Sequence, residues 1–160
     1  MKLSFTVRGV AAPQGSMYAR YSPRLQRAFV VPDNKKTGPW RQEVAGVAEA
    51  ARAAAPGSWP TSEPVELRVR FALPRPTGHS GKRGLKASAP RYPAKKPDLS
   101  KLVRALEDAL SGIVYDDDAR IVRHRVEKVY AEAGQAPCAF VEVEVLAPSE
   151  VGAGTLPRLE

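Results

Sequence analysis

The sequence predicts a single-domain α+β protein, a mixed β-sheet of about four to five strands with two helices packed on it. Three observations carry this expectation. Several short runs alternate apolar and polar residues, the period of a half-buried strand. Two longer stretches repeat apolar residues at spacings of three and four, the period of a helix. A length of 160 residues suits one domain with one core.

The elements follow in order. Leu3, Phe5 and Val7 alternate with Ser4, Thr6 and Arg8, predicting a strand with one buried face over 2–8. Residues 9–27 are turn-rich, and here Tyr18, Arg20, Tyr21, Arg24 and Arg27 interleave aromatics with cations. Ala28–Val31 predicts a second strand that returns against the first, and Asp33-Asn34 and Gly38-Pro39 break the pattern. Trp40, Val44, Val47, Ala48 and Ala51 predict a helix over 40–55, stopped by Pro56-Gly57. Val65, Leu67, Val69 and Phe71 alternate with Glu66, Arg68 and Arg70 in a third strand. A long loop rich in proline and glycine occupies 74–97. Asp98 then opens a second helix with a stripe of Leu99, Leu102, Val103, Leu106, Ala109 and Leu110, which Gly112 ends. Strands at 121–130 and 138–146 complete a domain over 1–146, and 147–160 reads as a flexible C-terminal tail.

Composition narrows the function. No apolar run reaches the roughly 20 residues of a membrane span. The opening MKLSFTVRGV lacks the apolar centre of a signal peptide, so the expected location is cytoplasmic, with no membrane partner. The single cysteine, Cys138, excludes an intrachain disulfide and reads as a small buried residue. The net charge of +8 is concentrated in one place. Residues 74–97 carry Arg75, Lys82, Arg83, Lys86, Arg91, Lys95 and Lys96 with no acid, whereas the rest of the chain holds 18 basic against 17 acidic residues. A cationic stretch of this kind favours a polyanion, because each phosphate contact releases condensed counterions. The bland reading is a solvated loop.

An acidic group stands next to this loop. Asp98 begins the second helix, and Asp116, Asp117 and Asp118 follow that helix in a turn. If folding gathers these carboxylates, they suit a hard cation such as Mg²⁺, which phosphodiester hydrolysis commonly uses. The bland readings are an N-cap for Asp98, worth about 1 kcal/mol, and a solvated turn for the three aspartates.

The segments KPDLSKLVRALEDAL and GIVYDDDARIV and the strand VRHRVEKVY closely resemble the RusA-type Holliday junction resolvases, the crossover junction endodeoxyribonucleases of bacteria and their phages. The resemblance runs over about residues 3–146. It implies a Mg²⁺-dependent (or Mn²⁺-dependent) homodimer that binds four-way DNA junctions and makes paired symmetric nicks, two sites about a twofold axis suiting a substrate of like symmetry. By the resemblance, Asp98 and Asp118 are metal ligands, and Asp117 is a ligand or supports one. Arg104 stands where the family usually has lysine, keeping the charge but presenting a planar fork. Asp108 matches the aspartate of the family's Asp-Ala-Leu, and its spacing from Arg104 also permits an ordinary helix ion pair. Ser100 occupies the position of a second helix-start aspartate. A hydroxyl can ligate Mg²⁺ or bond a bound water but brings no negative charge, so a weakened, junction-binding relative is the alternative. Asp116 is an extra acid that offers compensation. The loop cations, with Lys101, Arg20 and Arg24, are the expected DNA contacts. A third reading, RNA binding, rests on Tyr18 and Tyr21 among arginines. His79 and His124 receive no special role beyond a phosphate contact for His79.

Overall fold

The computed structural model describes residues 1–15, 17–32 and 34–147, with the backbone alone for 17–20 and 29–32; the tail beyond 147 and the side chains of Tyr18 and Arg20 lie outside the described residues. The chain forms β1 (Lys2–Arg8), β2 (Met17–Ser22), β3 (Arg27–Pro32), α1 (Thr37–Ala54), β4 (Val65–Leu73), the two-residue strands β5 (Ser80–Gly81) and β6 (Gly84–Leu85), α2 (Leu99–Leu110), β7 (Ile121–Tyr130) and β8 (Cys138–Val145). The expected α+β architecture is present. The main sheet has the order β1-β8-β4-β7, antiparallel except for the parallel β4–β7 pair. Leu67 faces Val143 on one side and His124 on the other, and Phe71 faces Ala139 and Lys128.

One side of this sheet is the core. Leu3, Phe5, Val7, Leu67, Val69, Phe71, Val141 and Val143 are buried there beneath the helices. α1 contributes Trp40, Val44 and Ala48, spaced four apart, and packs on β1 and α2. α2 contributes Leu102, Val103, Ala105, Leu106, Ala109 and Leu110. This apolar stripe orients α2 and therefore fixes which way its polar residues point.

Three expectations change. The strand near 28–31 does not return against β1: β3 pairs with β2 in a separate hairpin, and β1 pairs with β8. Alternation reports which face of a strand is buried, not which strand lies beside it. Gly38-Pro39 does not interrupt the chain before α1 but sits inside its first turn, where a missing N–H breaks no helical bond. The loop at 74–97 is not structureless, since it holds a turn at Thr77–His79 and the β5–β6 hairpin.

Candidate active site and nucleic-acid interface

β4 and β7 lie side by side in parallel, so the chain between them must cross over the sheet. That crossover contains the basic loop, α2 and the three aspartates. Its first part is pinned from within. Arg75 Nη1 donates to the Pro90 carbonyl at 3.0 Å, and its guanidinium lies 4.1 Å from the Tyr130 ring centre. Lys86 Nζ donates to the Gly78 carbonyl at 2.8 Å. Two of the expected phosphate contacts thus also hold the loop's shape. Lys82, Arg83, Arg91, Lys95 and Lys96 are exposed, as are Lys101 and Arg24.

Lys128 of β7 gave no signal in the sequence beyond strand alternation. Its Nζ donates to the Lys95 and Pro97 carbonyls, both at 2.8 Å. This clamp fixes the backbone immediately before Asp98. Asp98 occupies the N-cap of α2 with extended backbone (φ −70°, ψ 136°), yet its carboxylate makes no capping bond. It lines a cleft with Gln14, Gly15, Asn34, Lys96 and Lys101. Asn34 Nδ2 and Thr37 Oγ1 both donate to the Pro13 carbonyl, at 3.0 and 2.8 Å, which sets the opposite wall of that cleft. Ser100 is exposed and faces another groove, lined by Leu99, Val103, Glu107, His124 and Val126.

The aspartate turn is built at the far end of α2. Gly112 adopts φ +79°, a left-handed conformation that glycine takes without penalty, and reverses the chain. Tyr115 is fully buried, and its hydroxyl donates to the Glu107 carbonyl at 3.2 Å. Thr61 then holds the turn: its N–H donates to Val114, and its carbonyl accepts from Asp116 N–H, both at 3.0 Å. The three aspartates have different tasks. Asp116 is gripped by Arg120, with Nε and Nη2 donating at 2.8 and 3.1 Å. Arg120, helped by Ser62, holds its carboxyl down at about 2. Asp117 Oδ1 accepts from Ala119 N–H at 2.8 Å and caps the short turn Asp118–Arg120. Asp118 is exposed and, among the described residues, makes no hydrogen bond or ion pair with its side chain.

Asp98 and Asp118 therefore stand toward opposite ends of α2. Asp118 acts electrostatically on Glu107, nine residues along the helix from Asp98, a rise of about 14 Å at 1.5 Å per residue. Among the described residues, no three Asp, Glu, His or Cys side chains form a metal-binding group. The donor chemistry of Asp98, Ser100 and Asp118 is nonetheless that of a hard cation: exposed oxygens, with the two carboxylates making no side-chain bond or ion pair among the described residues.

Two further side chains have surroundings that the sequence left open. Arg104 is exposed and forms no ion pair with Asp108; Arg41 of α1 takes that place, with Nη1 3.5 Å from Asp108 Oδ2 and Nη2 donating to the Asp108 carbonyl at 3.3 Å. His124 is not idle. Its Nε2 lies 2.7 Å from Glu107 Oε1 across the groove below Ser100. Burial raises the Glu107 carboxyl above its usual range, His124 opposes this, and Asp118 adds to it. A single histidine on a strand carries no sequence signal for this pairing, because its partner lies 17 residues away on a helix.

Comparison with known proteins identifies relatives of this chain. "Uncharacterized protein YqaN" of Bacillus subtilis (strain 168) is 30% identical over 142 residues, spanning 88% of this chain and 96% of that protein. The family described as "Endodeoxyribonuclease RusA" matches residues 12–144, a stretch that takes in the β2–β3 hairpin, both helices, the basic loop and the aspartate turn. By this match the chain belongs to the RusA endodeoxyribonuclease family, whose members act on Holliday junctions.

Proposed function

We propose that the protein is a homodimeric, Mg²⁺-dependent (or Mn²⁺-dependent) endonuclease that resolves four-way DNA junctions by paired symmetric nicks. The observation that carries this reading is the pair of unengaged carboxylates, Asp98 and Asp118, at the two ends of α2 beside a pinned cationic loop. A twofold axis passing near the middle of α2 exchanges its ends, so that Asp98 and Ser100 of one protomer meet the partner's Asp118. The groove between α2 and β7 lies at that midpoint and offers apolar surface for such a contact: Leu99, Val103 and Val126 line it.

Asp98, Ser100 and the partner's Asp118 would hold the divalent ion, which when bound supplies charge neutralisation at the phosphate and activation of a water. Asp117 supports this set by fixing the turn that presents Asp118. Arg104, exposed on α2, stabilises charge that develops on the phosphate. Lys82, Arg83, Arg91, Lys95, Lys96 and Lys101 grip the backbone of the junction arms. Arg20 and Arg24 extend that grip through the β2–β3 hairpin.

Mixing two inactive variants tests the reading. Asp98→Asn and Asp118→Asn should each lose at least about 100-fold in junction cleavage with Mg²⁺ while still binding junctions. A heterodimer of the two carries one intact composite site and should regain single-strand nicking. If the mixture stays inactive while mixed dimers form, the shared site is wrong. If wild-type protein leaves junctions uncut with both Mg²⁺ and Mn²⁺, the enzyme reading fails. The serine supports a second reading, a branched-DNA-binding protein with weakened catalysis. Activity that appears only in Ser100→Asp would establish it, and equal activity in both would remove it.

A further inference from the structure

A second cavity adjoins the Asp98 cleft. It has a volume of about 800 Å³ and lies between the start of the basic loop, the end of β7 and the segment after β1. That size is typical of sites for small organic ligands, roughly 300–1,000 Å³. Its walls are apolar and stiff, with Pro74, Pro76, Pro90 and Pro93 on one side and Ala11 and Ala12 on the other. Prolines cost little conformational entropy to order, so the hollow exists before anything enters it. Two aromatic rings and an imidazole also line it: Tyr92, 60% exposed, Tyr130, and His79, which meets Tyr130 edge-on at 5.6 Å.

The rim carries the opposite character. Lys36, Lys95 and Lys96 surround the mouth, and the Arg91 guanidinium lies 5.4 Å from the Tyr92 ring centre. Pro13, Asn34, Lys96 and Pro97 belong both to this cavity and to the cleft that holds Asp98, so the two are continuous. An apolar aromatic interior with cations at the entrance is complementary to a nucleotide: a flat base for the interior, a phosphate for the rim.

Resting on the junction-nuclease reading, we propose that this cavity receives one unpaired nucleobase of the DNA, turned out at the branch point, with Tyr92 stacking on it and Lys95 and Lys96 holding its phosphate. A base lodged there places the adjoining backbone beside Asp98. The cavity then discriminates branched from paired DNA, because a base within a duplex cannot enter without losing its partner.

The test uses the full chain without divalent metal, so that no strand is cut. Its probes are a duplex with one unpaired 2-aminopurine, a four-way junction with 2-aminopurine at the branch, and the same duplex fully paired. Wild-type protein should bind the unpaired probe about tenfold more tightly than the paired one and quench its fluorescence, as expected for stacking on an aromatic ring. Tyr92→Ala and Ala94→Trp, the second filling the cavity, should lose this preference and the quenching, and Tyr92→Phe should keep both. All three should bind paired duplex as wild type does. Unchanged fluorescence in wild type, an unchanged preference in the Ala and Trp variants, or an equal loss on paired duplex would each overturn the pocket. Junction cleavage by wild type with Mg²⁺, measured alongside, separates the two ideas: cleavage with no base signal removes only the pocket, whereas no branched-DNA binding at all removes both.

Discussion

Glu66 and Glu107 are both buried or nearly so, and their surroundings push them in opposite directions. Glu66 accepts from Arg68 Nε and Nη2 at 3.1 and 3.0 Å, with Arg123 and Arg125 also within 3.3 and 2.6 Å. Arg68, ahead of the cost of burial, lowers its carboxyl below the ordinary 4.5. A carboxyl depressed in the folded state adds stability that is fully present above pH 4.5 and is lost as pH falls through the lower folded value. Glu66→Gln should therefore cost about 1–3 kcal/mol at neutral pH through weakened charge-assisted bonds. The gap between variant and wild type should narrow below pH 4, as thermal melts across that range would show. Glu107 has the reverse sign. Its carboxyl is raised by burial, so its ionisation costs stability as pH climbs above 4.5 through the raised value. Melting Glu107→Gln beside wild type between pH 4 and 8 should show the variant gaining relative stability as pH rises. Neither environment was legible from residue order. Glu66 reads as the polar partner in an alternating strand, and Glu107 as a helix surface acid, because cross-strand and helix-to-strand neighbours are set only by folding.

At the scale of elements, the periodicities located β1, α1, β4, α2, β7 and β8 to within a few residues, since each buries one face against a common core. Pairing was less legible. The β2–β3 hairpin stands apart from the main sheet, and its short apolar run carries no mark of its partner. Of the site, the acids and the basic loop were legible by residue type and spacing, whereas the division of labour among Asp116, Asp117 and Asp118 depends on Arg120, Ser62 and Ala119. α2 is the element on which all of this turns. Leu106 is fully buried at its centre, and Leu106→Ala should cost about 2–5 kcal/mol in chemical denaturation. Lys128→Met should leave the sheet intact but release the segment before Asp98. Faster amide exchange over residues 95–99, with little change in global stability, is the expected result.

The whole molecule divides its charge by face. The sheet surface away from the helices carries a network in which Arg68 bridges Glu66, Glu142 and Glu144 and Lys2 pairs with Glu142, so cations there are largely matched by acids. The loop over 74–97 within the crossover holds seven cations and no acid. Junction affinity should accordingly fall steeply with salt, and each of Lys95→Ala and Lys96→Ala should flatten a log–log plot of affinity against salt by about 0.9. Filter-binding titrations over a range of salt would check this, and an unchanged slope would exclude those lysines from phosphate contact.

The parallel pairing of β4 with β7 has an evolutionary consequence. Residues 74–120 leave and re-enter the sheet on neighbouring strands, so the whole segment behaves as a cassette with fixed anchor points. Relatives can vary its length and chemistry while the register of β1, β8, β4 and β7 stays as it is. Grafting this span from one relative into the frame of another should carry the donor's choice of DNA with it, leaving the recipient's scaffold to do the folding.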